Sequence, residues 1–175
     1  MTIVTETGRL VLRHFTTEDA EFVLRLLNEP SFIENIGDRG VRTVEDAVAY
    51  LNRGPIDSYA RHGHGLNAVV LRETGEPIGM CGLLRREQFA DADVGYSFLP
   101  EFWRRGYAAE AVAAVVEHGR RTLGLRTIIA IVAPHNTASS ALLEKLGFRY
   151  EERVELLTDG SDVMVYRSSG ATSTH

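Results

Sequence analysis

The chain has 175 residues, 44% of them apolar and 25% charged, which suits a globular protein with length enough for one sizeable core. Its net charge of −5, without a basic stripe, speaks against nucleic acid as the main partner. No apolar run approaches the roughly 20 residues of a membrane helix and no leader opens the chain; with a single cysteine, Cys81, this gives the expectation of a cytoplasmic protein with no membrane partner and no disulfide framework.

The first strand is expected over Gly8 to Phe15, where apolar and polar residues alternate. Thr16 to Ala20 then offers a hydroxyl cap and acidic first-turn residues, and a helix carrying Phe22, Val23, Leu26 and Leu27 ends before Pro30. Ser31 to Gly40 shows no regular pattern. Thr43 to Leu51 repeats the cap-then-acid signature, and one or two further turns are expected through Ile56 to Ala60. Leu66 to Glu73 and Pro77 to Arg86 read as a hairpin about Thr74-Gly75-Glu76, with Cys81 a small apolar strand residue, and Asp93 to Leu99 as a fourth strand.

Ala108 to Leu123 is helix-forming, with Ala111, Val112, Val115 and Val116 on one face. The β-branched run Thr127 to Ala133 is a fifth strand buried on both faces, parallel to the fourth because a helix joins them. Thr137 to Leu146 is a helix closed by Gly147, and Phe148 to Leu157 pairs with Asp162 to Arg167 in a closing hairpin, itself a candidate homodimer surface. The order implies an α/β fold, one mixed sheet of about seven strands with helices on both faces. Residues 1–167 make a single domain, and Ser168 to His175 a flexible tail.

Between the fourth strand and the next helix lies Pro100-Glu101-Phe102-Trp103-Arg104-Arg105-Gly106-Tyr107-Ala108-Ala109. A strand, a glycine and a helix N-terminus in succession make a receptor for phosphate oxygens. The N–H groups of Arg105, Gly106, Tyr107, Ala108 and Ala109 converge there, and Gly106 lets a diphosphate approach the backbone. Arg104 and Arg105 add charge at the rim.

This segment, the preceding Gly95-Tyr96 and the later Asn136-Thr137-Ala138-Ser139 … Leu143-Glu144-Lys145-Leu146-Gly147-Phe148 together resemble the GNAT N-acetyltransferases, over nearly the whole span from Arg9 to Tyr166. Within that superfamily the turn is most similar to the branch that acetylates ribosomal-protein N-termini. The resemblance implies a GNAT fold splayed between the fourth and fifth strands, with acetyl-CoA in the gap and no metal. Backbone groups of Phe98 and Leu99 would bind the pantetheine arm and polarise the thioester. Asn136 would bond the same arm, and an N-cap is its alternative role.

The resemblance further implies direct attack by a neutral amine in a ternary complex. Many members carry a tyrosine acid on the helix after the fifth strand; Leu143 stands there in this chain, and the ribosomal-type alternative falls on Ser139, which is equally a first-turn helix hydroxyl. Asp93 and Glu87, at the facing ends of two strands, are the candidate bases, with His14, His62 and His64 as alternatives. His62 and His64 lack further metal ligands nearby. The expected activity is acetyl transfer to a primary amine, a protein N-terminus or a small molecule. A non-catalytic acyl-CoA sensor is the rival reading; a dinucleotide-binding fold is disfavoured because the first strand has no glycine turn.

Overall fold

The computed structural model describes residues 1–169. Its strands are β1 (Ile3–Glu6), β2 (Leu10–His14), β3 (Leu66–Leu71), β4 (Pro77–Leu84), β5 (Ala92–Phe98), β6 (Thr127–Val132), β7 (Arg149–Glu155) and β8 (Asp162–Ser169). They form one sheet in the order β1-β2-β3-β4-β5-β6-β8-β7. Every neighbouring pair is antiparallel except β5 and β6, which a helix joins and which run parallel as expected.

The eight strands exceed the expected seven by β1, a short, half-exposed segment whose four residues carry too little alternation to stand out. At the other end β8 continues past Arg167, because Ser168 and Ser169 stay on the ladder opposite Ile128 and Thr127. The tail expected from Ser168 onward therefore loses its first two residues to the sheet, and the remainder lies outside the described residues.

The helices are α1 (Ala20–Leu27), α2 (Pro30–Asn35), α3 (Val44–Leu51), α4 (Asp57–His62), α5 (Tyr107–Arg121) and α6 (Thr137–Lys145). Capping boxes at Thr16 and Thr43, closed by Asp19 and Asp46, fix the entries to α1 and α3. The first helix ends before Pro30 as expected, and Pro30 also opens α2, since its fixed φ and missing N–H suit a first helical position. From α3 the chain passes into α4 through a wide π turn at Asn52–Ile56 that accommodates Pro55.

Each face of the sheet carries its own core. On one side Val94, Phe98 and Ile128 pack with Ala111, Val112 and Val115 of α5 and Leu143 of α6. On the other, Ala68, Val70 and Met80 pack with Val23, Leu26 and Leu27 of α1 and Ala47 and Leu51 of α3. Strand side chains alternate between these layers, so Tyr96 lies with α5 and α6. Asp93 and Ser97, one step out of phase, take the face of α1 and α3 beside their β4 partners Leu84 and Met80. Among the described residues no helix is long and apolar enough to cross a membrane.

Candidate active site

The site begins where the sheet opens. Strands β5 and β6 pair only at Ala92 with Ile128 and Asp93 with Ile129. Beyond that point β5 stays on β4 as far as Phe98, while β6 follows β8 up to Val132, so the two parallel strands part. The Leu99 N–H donates to Ile78 O at 2.9 Å, and the alternation of an antiparallel ladder then turns the N–H and C=O of Tyr96 and Phe98 away from β4 and into the gap. Trp103 occupies one of these groups, its indole N–H donating to the Phe98 carbonyl at 2.9 Å. Phe98 therefore offers its N–H alone.

Leu99 does not share that role. Its N–H is spent on Ile78, its carbonyl accepts from Phe102 N at 3.0 Å, and its side chain is 1% exposed. The correction has a simple cause: pairing with β4 runs one residue past the strand and the 3₁₀ turn Pro100–Phe102 starts at once.

The turn that follows is left-handed at Arg104, with φ 62°, and again at Gly106, with φ 82°. Two such residues around Arg105 curl the backbone so that successive N–H groups converge. Gly106 caps α5 without a side-chain hydrogen bond, and the first intrahelical bond runs from Glu110 N to Gly106 O. The amides of Tyr107, Ala108 and Ala109 thus head a 15-residue helix with no side chain closing it. Thr43 and Asn136 close α3 and α6 with their side chains, whereas this end, like those of α2 and α4, has no such cap.

Arg9, which the sequence placed only in a strand, braces that turn. Its guanidinium donates to Arg105 O at 2.9 Å and pairs with Glu110 at 2.8 Å, and it stacks 4.4 Å over the Tyr107 ring. Burial opposes charge on Glu110, yet hydrogen bonds from Thr7 and Arg9 outweigh it and hold the carboxyl below its usual range. The carboxylate beside the turn is thereby held charged and paired. Arg104 is exposed at the rim, and Arg105 lies 5.8 Å over Phe102. An Arg9→Ala variant is expected to weaken coenzyme A binding roughly fivefold, about 1 kcal/mol for a half-exposed ionic brace, as read by titration calorimetry.

Across the gap stands α6. Asn136 Oδ1 accepts from Ser139 N at 3.2 Å, so its cap role is realised. The Ser139 hydroxyl is hydrogen-bonded to the Tyr96 phenol, which reaches it from β5 and bridges the two sides of the opening. Burial pushes that phenol up to about 12 against the opposing effect of Ser139. Leu143 is fully buried in the core and holds no polar function.

The candidate bases separate. Asp93 is 1% exposed at the last rung where β5 and β6 still pair, with Arg86 Nε at 3.3 Å. Burial pushes its carboxyl up to about 6 in spite of the guanidinium. Glu87 is instead an exposed turn residue between β4 and β5. That loop is tied to the closing hairpin by Gln88, whose amide donates to Glu155 O and accepts from Leu157 N, both at 2.8 Å. His14 is stacked 3.6 Å from Tyr59 and held below its usual pKa by burial, and His64 Nδ1 lies 2.9 Å from Leu83 O. Among the described residues no three His, Cys, Asp or Glu side chains are grouped to hold a metal.

A family profile described as an acetyltransferase (GNAT) domain matches residues 9–149. The chain belongs to the GNAT acetyltransferase family. It is similar to the uncharacterized N-acetyltransferase YoaA of Bacillus subtilis, 32% identical over 150 residues that cover 85% of this chain and 84% of that protein. The ribosomal protein uS5-alanine N-acetyltransferase of Escherichia coli is 35% identical over 77 residues, 43% of this chain and 40% of that protein. In structure, an acetyltransferase from Agrobacterium tumefaciens superposes with a TM-score of 0.79 at 28% identity, over 94% of this chain and 92% of that one.

As a GNAT member the protein is an acetyl-CoA-dependent acetyltransferase. Its residues fit that substrate: an open helix end for phosphates, a parted sheet for the arm, and the strand N–H groups of Tyr96 and Phe98 turned into the gap. Of the residues expected from sequence, the turn, Phe98, Asn136, Ser139 and Asp93 gather along this opening, whereas the backbone of Leu99 is bonded to Ile78 and Phe102 and Glu87 lies exposed on the β4–β5 turn. Reading the sequence missed Arg9, Arg86, Gln88 and Tyr96 as working parts. The Gly95-Tyr96 pair carried a signal for the last, since a tyrosine in phase with Phe98 must share its face.

Proposed function

We propose that this GNAT enzyme acetylates a primary amine by direct attack in a ternary complex, and that its acceptor is the α-amine of a protein N-terminus. The carrying observation is the parting of β5 from β6 immediately after the buried Asp93. Similarity to the uS5-alanine enzyme supports the acceptor class. With one buried cysteine, the cytoplasm is the compartment we assign.

In this reading the amides of Arg105 to Ala109 hold the diphosphate of acetyl-CoA, assisted by Arg104. Asn136 has a free amide N–H₂ for the arm, since only its oxygen serves the cap. Acetyl-CoA supplies an acyl group already activated as a thioester. The Phe98 N–H binds the arm, the Tyr96 N–H that also faces the gap stabilises negative charge on the carbonyl oxygen, and Asp93, about 10 Å back along β5, takes the amine's proton through water. Ser139 donates to the departing sulfur. Holding amine and thioester in contact contributes several kcal/mol, roughly the lower part of what effective molarities allow.

The rival reading, a coenzyme A sensor, draws on Leu143 at the position where other members have a tyrosine acid. Thiol release from acetyl-CoA separates the two, measured with peptides bearing a free N-terminal alanine or serine, with free amino acids and with spermidine. Faster release with the peptides supports the proposal, preference for a small amine reassigns the acceptor, and tight coenzyme A binding without amine-dependent release favours the sensor.

A further inference from the structure

Tyr96 and Ser139 face each other from opposite sides of the parted strands: one on β5, the other in the first turn of α6. Their hydroxyls share a hydrogen bond. Among the described residues no other side-chain hydrogen bond joins β5 to α6, and the pair lies on the α5 and α6 face, away from Asp93. A phenol is far more acidic than an alcohol, so in a phenol–serine pair the phenol is the better donor. The serine oxygen then accepts, and its own hydrogen is left to point elsewhere. Ser139 N–H is separately fixed on Asn136 Oδ1, which restrains the residue's backbone and leaves its hydroxyl rotor as the remaining freedom.

We propose that Tyr96 is a positioning residue for acetyl transfer: by donating to Ser139 Oγ it directs the serine hydrogen toward the sulfur of coenzyme A. The inference rests on the reading of Ser139 as the group that meets the sulfur. No proton leaves Tyr96. As the thioester C–S bond breaks and the new C–N bond forms, the electron pair stays on sulfur, Ser139 donates a hydrogen bond to it, and the amine proton departs to the base. Burial keeps the phenol protonated throughout the neutral range, as a fixed donor must be. The Tyr96–Ser139 bond also ties β5 to α6, so the wedge keeps its width near its closed end.

Bound coenzyme A itself provides the test, because its thiolate absorbs in the ultraviolet and needs no acceptor amine. The titration midpoint of the bound thiol is measured in the wild type, in Ser139→Ala, in Tyr96→Phe and in the double variant, with desulfo-coenzyme A as the blank. Ser139→Ala is expected to raise the midpoint by about one pH unit, the size of one hydrogen bond to a charged group. Tyr96→Phe should raise it by half of that or more, and the double variant should match Ser139→Ala, since Tyr96 acts only through the serine. Replacement of Tyr96 by 3-fluorotyrosine, a stronger donor of nearly the same volume, should lower the midpoint and covers the case in which Tyr96→Phe misfolds.

A midpoint moved by Ser139→Ala but by neither Tyr96 replacement overturns the role of Tyr96 and leaves that of Ser139 standing. A midpoint unmoved by Ser139→Ala removes both. Additive shifts in the double variant show Tyr96 acting independently and overturn the proposal.

Discussion

Asp93→Asn is expected to lower turnover about 100-fold and, above neutral pH, to make the protein more stable. The two effects have one origin. Asp93 is almost fully buried, and its carboxyl is pushed up to about 6 by burial, against the pull of Arg86. A base with that pKa is mostly ionised at pH 7 and still accepts a proton readily, the condition under which general base catalysis contributes about 10²-fold or more. The pH profile follows: kcat/KM rises through one limb with a midpoint near 6 and a second at about 8 that belongs to the acceptor's α-amine, and only the lower limb vanishes in Asp93→Asn.

The stability consequence has a fixed sign. An unfolded aspartate titrates near 4, so between about pH 4 and pH 6 the folded state binds more protons than the unfolded state, and stability falls as pH rises across that interval. Above it the charged carboxylate costs about 3 kcal/mol relative to its neutral form. Asparagine imitates the neutral form. Chemical denaturation should show Asp93→Asn gaining about 3 kcal/mol at pH 8 and almost nothing at pH 4, where the wild-type group is already protonated. Equal stability at both values, or a loss at pH 8, contradicts this account of the residue.

Gly106→Val is expected to reduce coenzyme A affinity about 100-fold while changing the melting temperature of the free protein by only a few degrees. Gly106 holds φ at 82°, where a β-branched residue is strongly disfavoured, and a Cβ there would stand 3.2 Å from Arg9 Nη2. Relaxing that conflict rotates the peptide on each side of residue 106, which takes at least two N–H groups off the point where phosphate would sit, at about 1.5 kcal/mol or more each for charged acceptors. The turn is exposed, so the core does not register the change. Saturating coenzyme A should raise the melting temperature of the wild type and fail to raise that of the variant at the same concentration. Full retention of the thermal shift contradicts a phosphate site at this turn.

The fold was legible wherever the chain alternates strongly or repeats every three to four residues. The cap-then-acid runs at Thr16 and Thr43, the β-branched run of β6 and the glycine turn before α5 each state their structure locally. What was not legible depends on partners distant in sequence. β1 is a strand only because β2 is there to pair with it, and Leu99 lost its free N–H to Ile78, more than twenty positions away. Arg9 and Glu110 meet across a hundred residues, and Tyr96 meets Ser139 across the parted sheet. The site followed the same division. The glycine turn before α5 is built from contiguous backbone and its shape could be read directly, whereas the surroundings of Asp93, Ser139 and Tyr96 depend on burial and on long-range pairing.

The central claim is that coenzyme A lies along β5 with its diphosphate at the head of α5, and amide chemical shifts of the labelled protein test it most directly. On titration with coenzyme A the account predicts large downfield shifts for Gly106, Tyr107, Ala108 and Ala109, a further shift for Phe98, and little change at Leu99, whose N–H is already bonded to Ile78. Perturbations that fall elsewhere on the sheet and leave residues 106–109 and Phe98 unmoved would contradict it.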